Sequence, residues 1–150
     1  MQRNTTTRRK ALTAAGLGAA AMAGLAGRVQ AAERTATEKI NVQVVNDFCA
    51  AWPSHDVAKI MSFFADPCAY RMTETREPIK GHEAVAATIK GIVGMIESFE
   101  VLDTYAKGSM VVNERIDHFT GGKMKAWHGV GVFFLKDGKI VEWSDYGIPA

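Results

Sequence analysis

Arg115 and Asp117 stand two residues apart in Val112-Asn113-Glu114-Arg115-Ile116-Asp117-His118-Phe119. That stretch reads as a β-strand. Side chains alternate faces along a strand, so Arg115 and Asp117 point the same way, with Val111, Asn113 and Phe119. On a solvated face they are ordinary surface charges. In a closed pocket they form a hydrogen-bonded pair that can donate a proton. Asp145 poses the same choice. It shares a face with Val141 and Trp143 in the last predicted strand, and a carboxylate on an apolar face costs free energy unless it is bonded. It is either a pocket carboxylate or a strand-end aspartate facing solvent. Two carboxylates near one arginine in a dry cavity tend not to ionise equally, which would leave one acid and one base.

The elements that must position these residues follow from periodicity. Ile40, Val44, Val45, Phe48 and Trp52 recur at helical spacing until Pro53-Ser54. Ser54 or Asp56 can cap a second helix through Val57, Ile60, Met61 and Phe64, which Ala65-Asp66-Pro67 breaks. Residues 68–72 read as a short strand with Cys68, Tyr70 and Met72 on one face; alternation points Thr73 away from them. Residues 73–80 are polar and suggest a loop with a short hairpin partner around Ile79. Gly81 then turns the chain into a third helix over residues 82–97, with Val85, Ile89, Ile92, Val93 and Ile96 inward.

Four strands follow at residues 99–106, 110–119, 125–135 and 140–146. They are joined by Lys107-Gly108, Gly121-Gly122 and Lys136-Asp137-Gly138-Lys139, the last a strong hairpin signal. Helices collected on one face of a largely antiparallel sheet make an α+β domain. A strongly curved sheet with a long helix across its concave side would enclose a cone-shaped cavity, and Gly129-Val130-Gly131 would help the sheet bend.

The sequence has 150 residues, and the first 31 read as an export signal. Thr7-Arg8-Arg9-Lys10 is a twin-arginine element, an Ala/Gly-rich apolar run covers residues 11–27, and Val29-Gln30-Ala31 fits a small-residue cleavage site. The run is too weakly apolar for a stable membrane span. The expected product is a single domain, residues 32–150, exported by the twin-arginine route to the periplasm or beyond, with no membrane contact after cleavage. All five basic residues of the leader would go with it, leaving 13 basic against 16 acidic residues, a net charge of −3. No basic stripe remains to bind nucleic acid. Cys49 and Cys68 could pair in an oxidising compartment or stay as two buried thiols. His55, His82, His118 and His128 are scattered, so no metal is expected. His128 follows Trp127 and faces the other way, as a surface or interface histidine would.

Taken together, Asn113-Glu114-Arg115-Ile116-Asp117, Gly131-Val132-Phe133, Asp137-Gly138-Lys139-Ile140 and Trp143-Ser144-Asp145-Tyr146 resemble the limonene-1,2-epoxide hydrolase family. That family belongs to the group of folds like nuclear transport factor 2 (NTF2), with the SnoaL-like cyclases and ketosteroid isomerases. The resemblance runs from about Ile40 to Tyr146. It implies an NTF2-like cone with three helices, and a cofactor-independent reaction in which a water opens an epoxide in one step. An arginine bridges a protonated aspartate, which donates to the epoxide oxygen, and an ionised one, which takes a proton from the water. By this resemblance Asp117 is the acid, Arg115 the bridge, Asp145 the base and Tyr70 a holder of the water. The family's asparagine that also holds the water corresponds to Met72, which has no amide to offer.

Phe119, Trp127 and Trp143 from the sheet, with Met72, Ile92 and Ile96, are expected to line an apolar substrate pocket or, in the case of the helix residues, to pack as plain core. The expected partners are a small hydrophobic molecule and, by resemblance, a second copy bound through the exposed sheet face. Three readings stay open: an epoxide hydrolase; an isomerase or SnoaL-like cyclase using Asp145 or Asp117 as a base beside a carbonyl; and a binding protein without catalysis.

Overall fold

The computed structural model describes residues 33–150, and the export signal expected over residues 1–31 lies outside them. Helix α1 spans Ala36–Ala51. Thr35 caps it: its hydroxyl accepts from the Glu38 amide at 3.2 Å, and the Glu38 carboxylate accepts from the Thr35 amide at 2.8 Å. This reciprocal pair satisfies two otherwise orphaned N–H groups. The helix therefore begins before Ile40, and Ile40, the first of the apolar residues at helical spacing, lies on its outer side, 58% exposed. Val45, Phe48 and Cys49 form the buried stripe.

A 3₁₀ turn, Trp52–Ser54, leads to α2, Val57–Met61, capped by Asp56 accepting from the Lys59 amide at 3.1 Å. Helix α2 is shorter than its apolar spacing suggests. Phe64 opens strand β1, Phe64–Arg71, where it pairs with Ile140. Ala65, Asp66 and Pro67 are part of that strand, through a cis Asp66–Pro67 bond. Strand β2, Ile79–Lys80, pairs antiparallel with β1. Helix α3 covers His82–Ile92, and a 3₁₀ turn, Val93–Met95, finishes it. Ile96 thus begins strand β3, Ile96–Lys107, and is not the helix residue expected from the 82–97 pattern. Strands β4, Met110–Phe119, β5, Ala126–Lys136, and β6, Lys139–Pro149, complete the chain.

The six strands form one sheet in the order β2-β1-β6-β5-β4-β3. Only β1 and β6 run parallel; the other pairings are antiparallel. The β5–β6 hairpin turns through Asp137 (φ 51°) and Gly138 (φ 72°), the two left-handed positions that a tight two-residue loop needs. Register shifts fall between Ile96 and Ser98 and between Val101 and Asp103 in β3, and between Phe134 and Leu135 in β5. Such irregularities bend and twist a sheet. The β4–β5 register runs unbroken through Gly129–Gly131, so no bulge interrupts that segment.

Helix α1 packs on β3 and β4, and α3 packs on β1. Phe48 on α1 is the hub of the core. Its ring meets Trp52, Phe63, Phe64, Phe133 and Trp143 edge-on at centroid separations of 5.1–6.1 Å. Each such pair contributes about 0.5–1.5 kcal/mol beyond area burial. Cys49 and Cys68 are buried free thiols. Among the described residues, no helix is long and apolar enough to cross a membrane.

Candidate active site

The inner faces of β4, β5 and β6 carry the charged group. Asn113, Arg115 and Asp117 alternate inward along β4 and are all buried. Asp145 on β6 stands opposite Gly131 on β5, which in turn stands opposite Asn113. Arg115 therefore reaches Asp145 by crossing β5, and it crosses at Gly131. A Cβ on Gly131 would lie 2.6 Å from Arg115 Nη1 and 2.6 Å from the Phe133 ring. A residue without a side chain is what lets the guanidinium pass.

Arg115 is 1% exposed and holds the two aspartates unequally. Its Nη2 donates to Asp145 Oδ1 at 2.8 Å. The Trp143 indole N–H donates to the same oxygen at 2.8 Å, and the Tyr70 hydroxyl donates to Oδ2 at 3.4 Å. Asp117 Oδ1 lies 2.8 Å from Arg115 Nε, but that contact lacks hydrogen-bond alignment, and among the described residues neither atom has another partner. The Nη2 contact to Asp117 Oδ2 is long, at 3.5 Å. Phe99 and Trp143 cover the guanidinium at 4.7 Å and 5.8 Å from their ring centroids. Tyr70 is fixed by stacking on Trp143, with centroids 4.0 Å apart, and by facing it across the parallel β1–β6 pair.

Burial drives the electrostatics. It pushes the Asp117 carboxyl up to about 6, against the attraction of Arg115 and with the help of the Asp145 charge. Burial raises Asp145 as well, opposed by Arg115 and by hydrogen bonds from Arg115, Trp143 and Tyr70. For Arg115 burial works against the charge, but Asp145 and then Asp117 outweigh it and the net shift is upward. One guanidinium balances one carboxylate, so a single proton makes the whole group neutral, the favoured state in a dry site. Three donors converge on Asp145, whereas Asp117 has a short misaligned contact and one long hydrogen bond, both from Arg115. The hydrogen bonding favours the ionised form of Asp145 over that of Asp117, and the titration belongs to the pair. Burial first, and then Asp145, lift Tyr70 well above the usual phenol range, so it is a hydrogen-bond donor at every physiological pH.

Above this group lies a cavity of about 220 Å³. Asp117, Asp145 and Tyr70 line it, and Arg115 sits buried beneath it. The six residues expected to form an apolar pocket, Met72, Ile92, Ile96, Phe119, Trp127 and Trp143, all line the cavity. Thr73, expected to face away, lines it too: β1 ends at Arg71, so strand alternation stops before it. Trp52, Met95, Phe99 and Met124 complete the wall and were not singled out from sequence. Phe99 is the cross-strand neighbour of Asp117, a register that sequence alone does not reveal. His128 lies on the outer face, its Nε2 2.9 Å from Glu114 Oε1. Among the described residues, no three His, Cys, Asp or Glu side chains gather as a metal site would require.

The architecture is shared with solved structures. One is an LEH-like epoxide hydrolase of M. tuberculosis, with a TM-score of 0.65 and 23% identity, covering 74% of this chain and 84% of that one. Another is an NTF-2 like protein of unknown function from Burkholderia xenovorans LB400, with a TM-score of 0.65 and 17% identity over 75% of this chain and 85% of that one. A third, from Jannaschia sp. CCS1, is provisionally described as a SnoaL-like polyketide cyclase; its TM-score is 0.68 at 15% identity, over 77% of this chain and 90% of that one. At these identities the likeness shows the fold, an NTF2-like curved sheet of six strands with three helices. The family described as SnoaL-like domain matches residues 45–143, a stretch that holds Tyr70, Arg115 and Asp117 and stops just short of Asp145. The chain belongs to this SnoaL-like family, within the NTF2-like fold.

Proposed function

We propose that this protein is a cofactor-independent hydrolase that opens an epoxide on a small hydrophobic molecule to give a diol. The observation that carries the proposal is the unequal sharing of one buried guanidinium at the floor of an apolar cavity. Arg115 is well bonded to Asp145 and poorly bonded to Asp117. An epoxide oxygen leaves as an alkoxide unless it is protonated, and water is a weak nucleophile unless it loses a proton. Asp117 would give its proton to the epoxide oxygen as the ring C–O bond breaks. Asp145 would take a proton from the water as the new C–O bond forms. Tyr70 would orient that water. The proton gained by Asp145 then returns to Asp117 by way of solvent, and the net reaction adds one water to one epoxide.

The test is turnover of limonene oxide and simpler epoxides in ¹⁸O-labelled water. A singly labelled diol is the expected product. No diol from the whole panel, with Arg115→Ala leaving ligand binding unchanged, would sink the proposal.

Met72 favours a second reading. It lines the cavity, and by the resemblance it corresponds to an asparagine of the epoxide hydrolases. Without that amide, Asp145 or Asp117 could act instead as a base on a carbon next to a carbonyl, as in a SnoaL-like cyclase or a ketosteroid isomerase. Proton–deuterium exchange into a bound ketone, with no diol from epoxides, would select it.

Export by the twin-arginine route and pairing of two copies through the outer sheet face belong to the same proposal. Exposed Phe134, Tyr146 and Ile148 on that face support the pairing. Cell fractionation and sedimentation test the two points separately.

A further inference from the structure

Gly129 faces Arg115 across one strand boundary and Gly147 across the other. Neither glycine has a left-handed φ, so backbone geometry does not call for glycine at these positions. What the missing side chains leave is room for Trp127. A Cβ on Gly129 would come 3.2 Å from Trp127 Cδ1 and 3.6 Å from its Nε1. A Cβ on Gly147 would collide with Trp127 Nε1 and with the His128 carbonyl. The five-membered edge of the indole therefore rests on a patch of bare backbone. Trp127 is also the cross-strand partner of Asp117, and it lines the cavity while only half-buried.

We propose that Trp127, seated on Gly129 and Gly147, is the specificity-determining wall of the cavity beside Asp117. A ring supported from below by backbone cannot retreat when a ligand presses on it. The width available next to the acid is then set by the backbone under the indole. Pockets for drug-sized molecules run to about 300–1,000 Å³, and this one holds about 220 Å³. The ligand class it fits is compact and apolar, a single small ring or a short chain, with bulky polycyclic molecules excluded at Trp127. The inference rests on the hydrolase proposal only for the choice of reacting group; the size limit acts on any ligand.

The experiment compares the wild type, Trp127→Ala, Gly129→Ala and the double variant, in two assays. One is binding of cyclohexanol and of 1-adamantanol by calorimetry. The other is kcat/KM for cyclohexene oxide and for limonene oxide. Trp127→Ala is expected to shift the bulky-to-compact ratio upward by about tenfold, the size of effect that small changes in an apolar pocket produce. Gly129→Ala pushes the indole into the cavity and should lower the same ratio. In the Trp127→Ala background, Gly129→Ala should have no effect, because no ring remains to be pushed. Should Trp127→Ala fail to fold, Trp127→Phe carries the same prediction in weaker form.

An unchanged ratio in the Trp127 variants, or an equal Gly129→Ala effect in both backgrounds, overturns the inference. If the alcohol-binding ratios move as expected while no epoxide is turned over, the hydrolase proposal falls and the role of Trp127 stands. If epoxides are turned over and the ratios do not move, the role of Trp127 falls alone.

Discussion

Arg115 bonds Asp145 through Nη2 at 2.8 Å, and this is the shortest hydrogen bond its buried guanidinium makes to a carboxylate, against 3.5 Å to Asp117. Its closest approach to Asp117 is just as short but does not point a hydrogen along the line of contact. The two aspartates are therefore chemically different before any ligand arrives, and several expectations depend on that difference.

Replacing Arg115 by alanine leaves two carboxyl groups in an apolar floor with no cation. Removing one partner of a buried ion pair typically costs about 3–5 kcal/mol. Urea denaturation should show a loss of that order, together with loss of diol formation. Arg115→Lys keeps the charge but not the fork that reaches both strands, so it should recover part of the stability and little of the turnover.

The acid role proposed for Asp117 has a pH limit. Burial pushes its carboxyl up to about 6, so kcat/KM for an epoxide should decline as pH rises through that range. Asp117→Asn should be inactive at every pH. An activity that keeps rising from about pH 6 to about pH 8 would contradict the assignment of the shared proton to Asp117.

Stability should follow the same group. A carboxyl raised from 3.8 to about 6 in the folded state favours folding fully below the lower value. That advantage is lost as pH rises to the higher one, and stability is flat above it. The change amounts to roughly 3 kcal/mol at most, since one pKa unit is about 1.4 kcal/mol. Urea midpoints measured across this window should fall with pH in the wild type and vary much less in Asp117→Asn.

Met72→Asn restores an amide to the cavity wall. Under the hydrolase proposal it raises the rate of diol formation or leaves it unchanged. A clear loss of turnover would mean that the water is held elsewhere, with the Thr73 hydroxyl as the next candidate to substitute.

Burial pushes the Cys49 thiol up to about 12, and Cys68 is buried as well. Thiolate, not thiol, is the reactive form. Neither cysteine should be alkylated by iodoacetamide in the native protein, both should be alkylated in urea, and reduction should leave the native mass and mobility unchanged.

Much of the architecture is written in local patterns. Strand alternation alone put Arg115 and Asp117 on one face, and Asp137-Gly138 announced its hairpin. What the sequence obscured has physical causes. Ile92, Val93 and Ile96 keep helical spacing across a boundary where the chain becomes first a 3₁₀ turn and then a strand, so the apolar pattern hides the end of α3. The start of α1 was readable in Thr35 and Glu38, a capping pair that the apolar spacing from Ile40 overshadowed. Thr73 was misplaced because alternation was carried past Arg71, where β1 stops. The neighbourhood of Arg115, Asp145 and Tyr70 depends on register across β1, β6, β5 and β4. No local pattern encodes that register, and only the resemblance of scattered motifs pointed to it.

The parallel pairing of β1 with β6 joins the first strand in chain order to the last, and it seats Tyr70 against Trp143 and Asp145. Contacts so distant along the chain close late, because the loop between them must be ordered first. Until the last strand docks, Arg115 lacks its best acceptor, Phe48 lacks one of its aromatic neighbours, and the cavity has no floor. By this argument the proposed chemistry would be the final property the polypeptide acquires. Recovery of activity on refolding would thus report the pairing of its first and last strands rather than the formation of its helices.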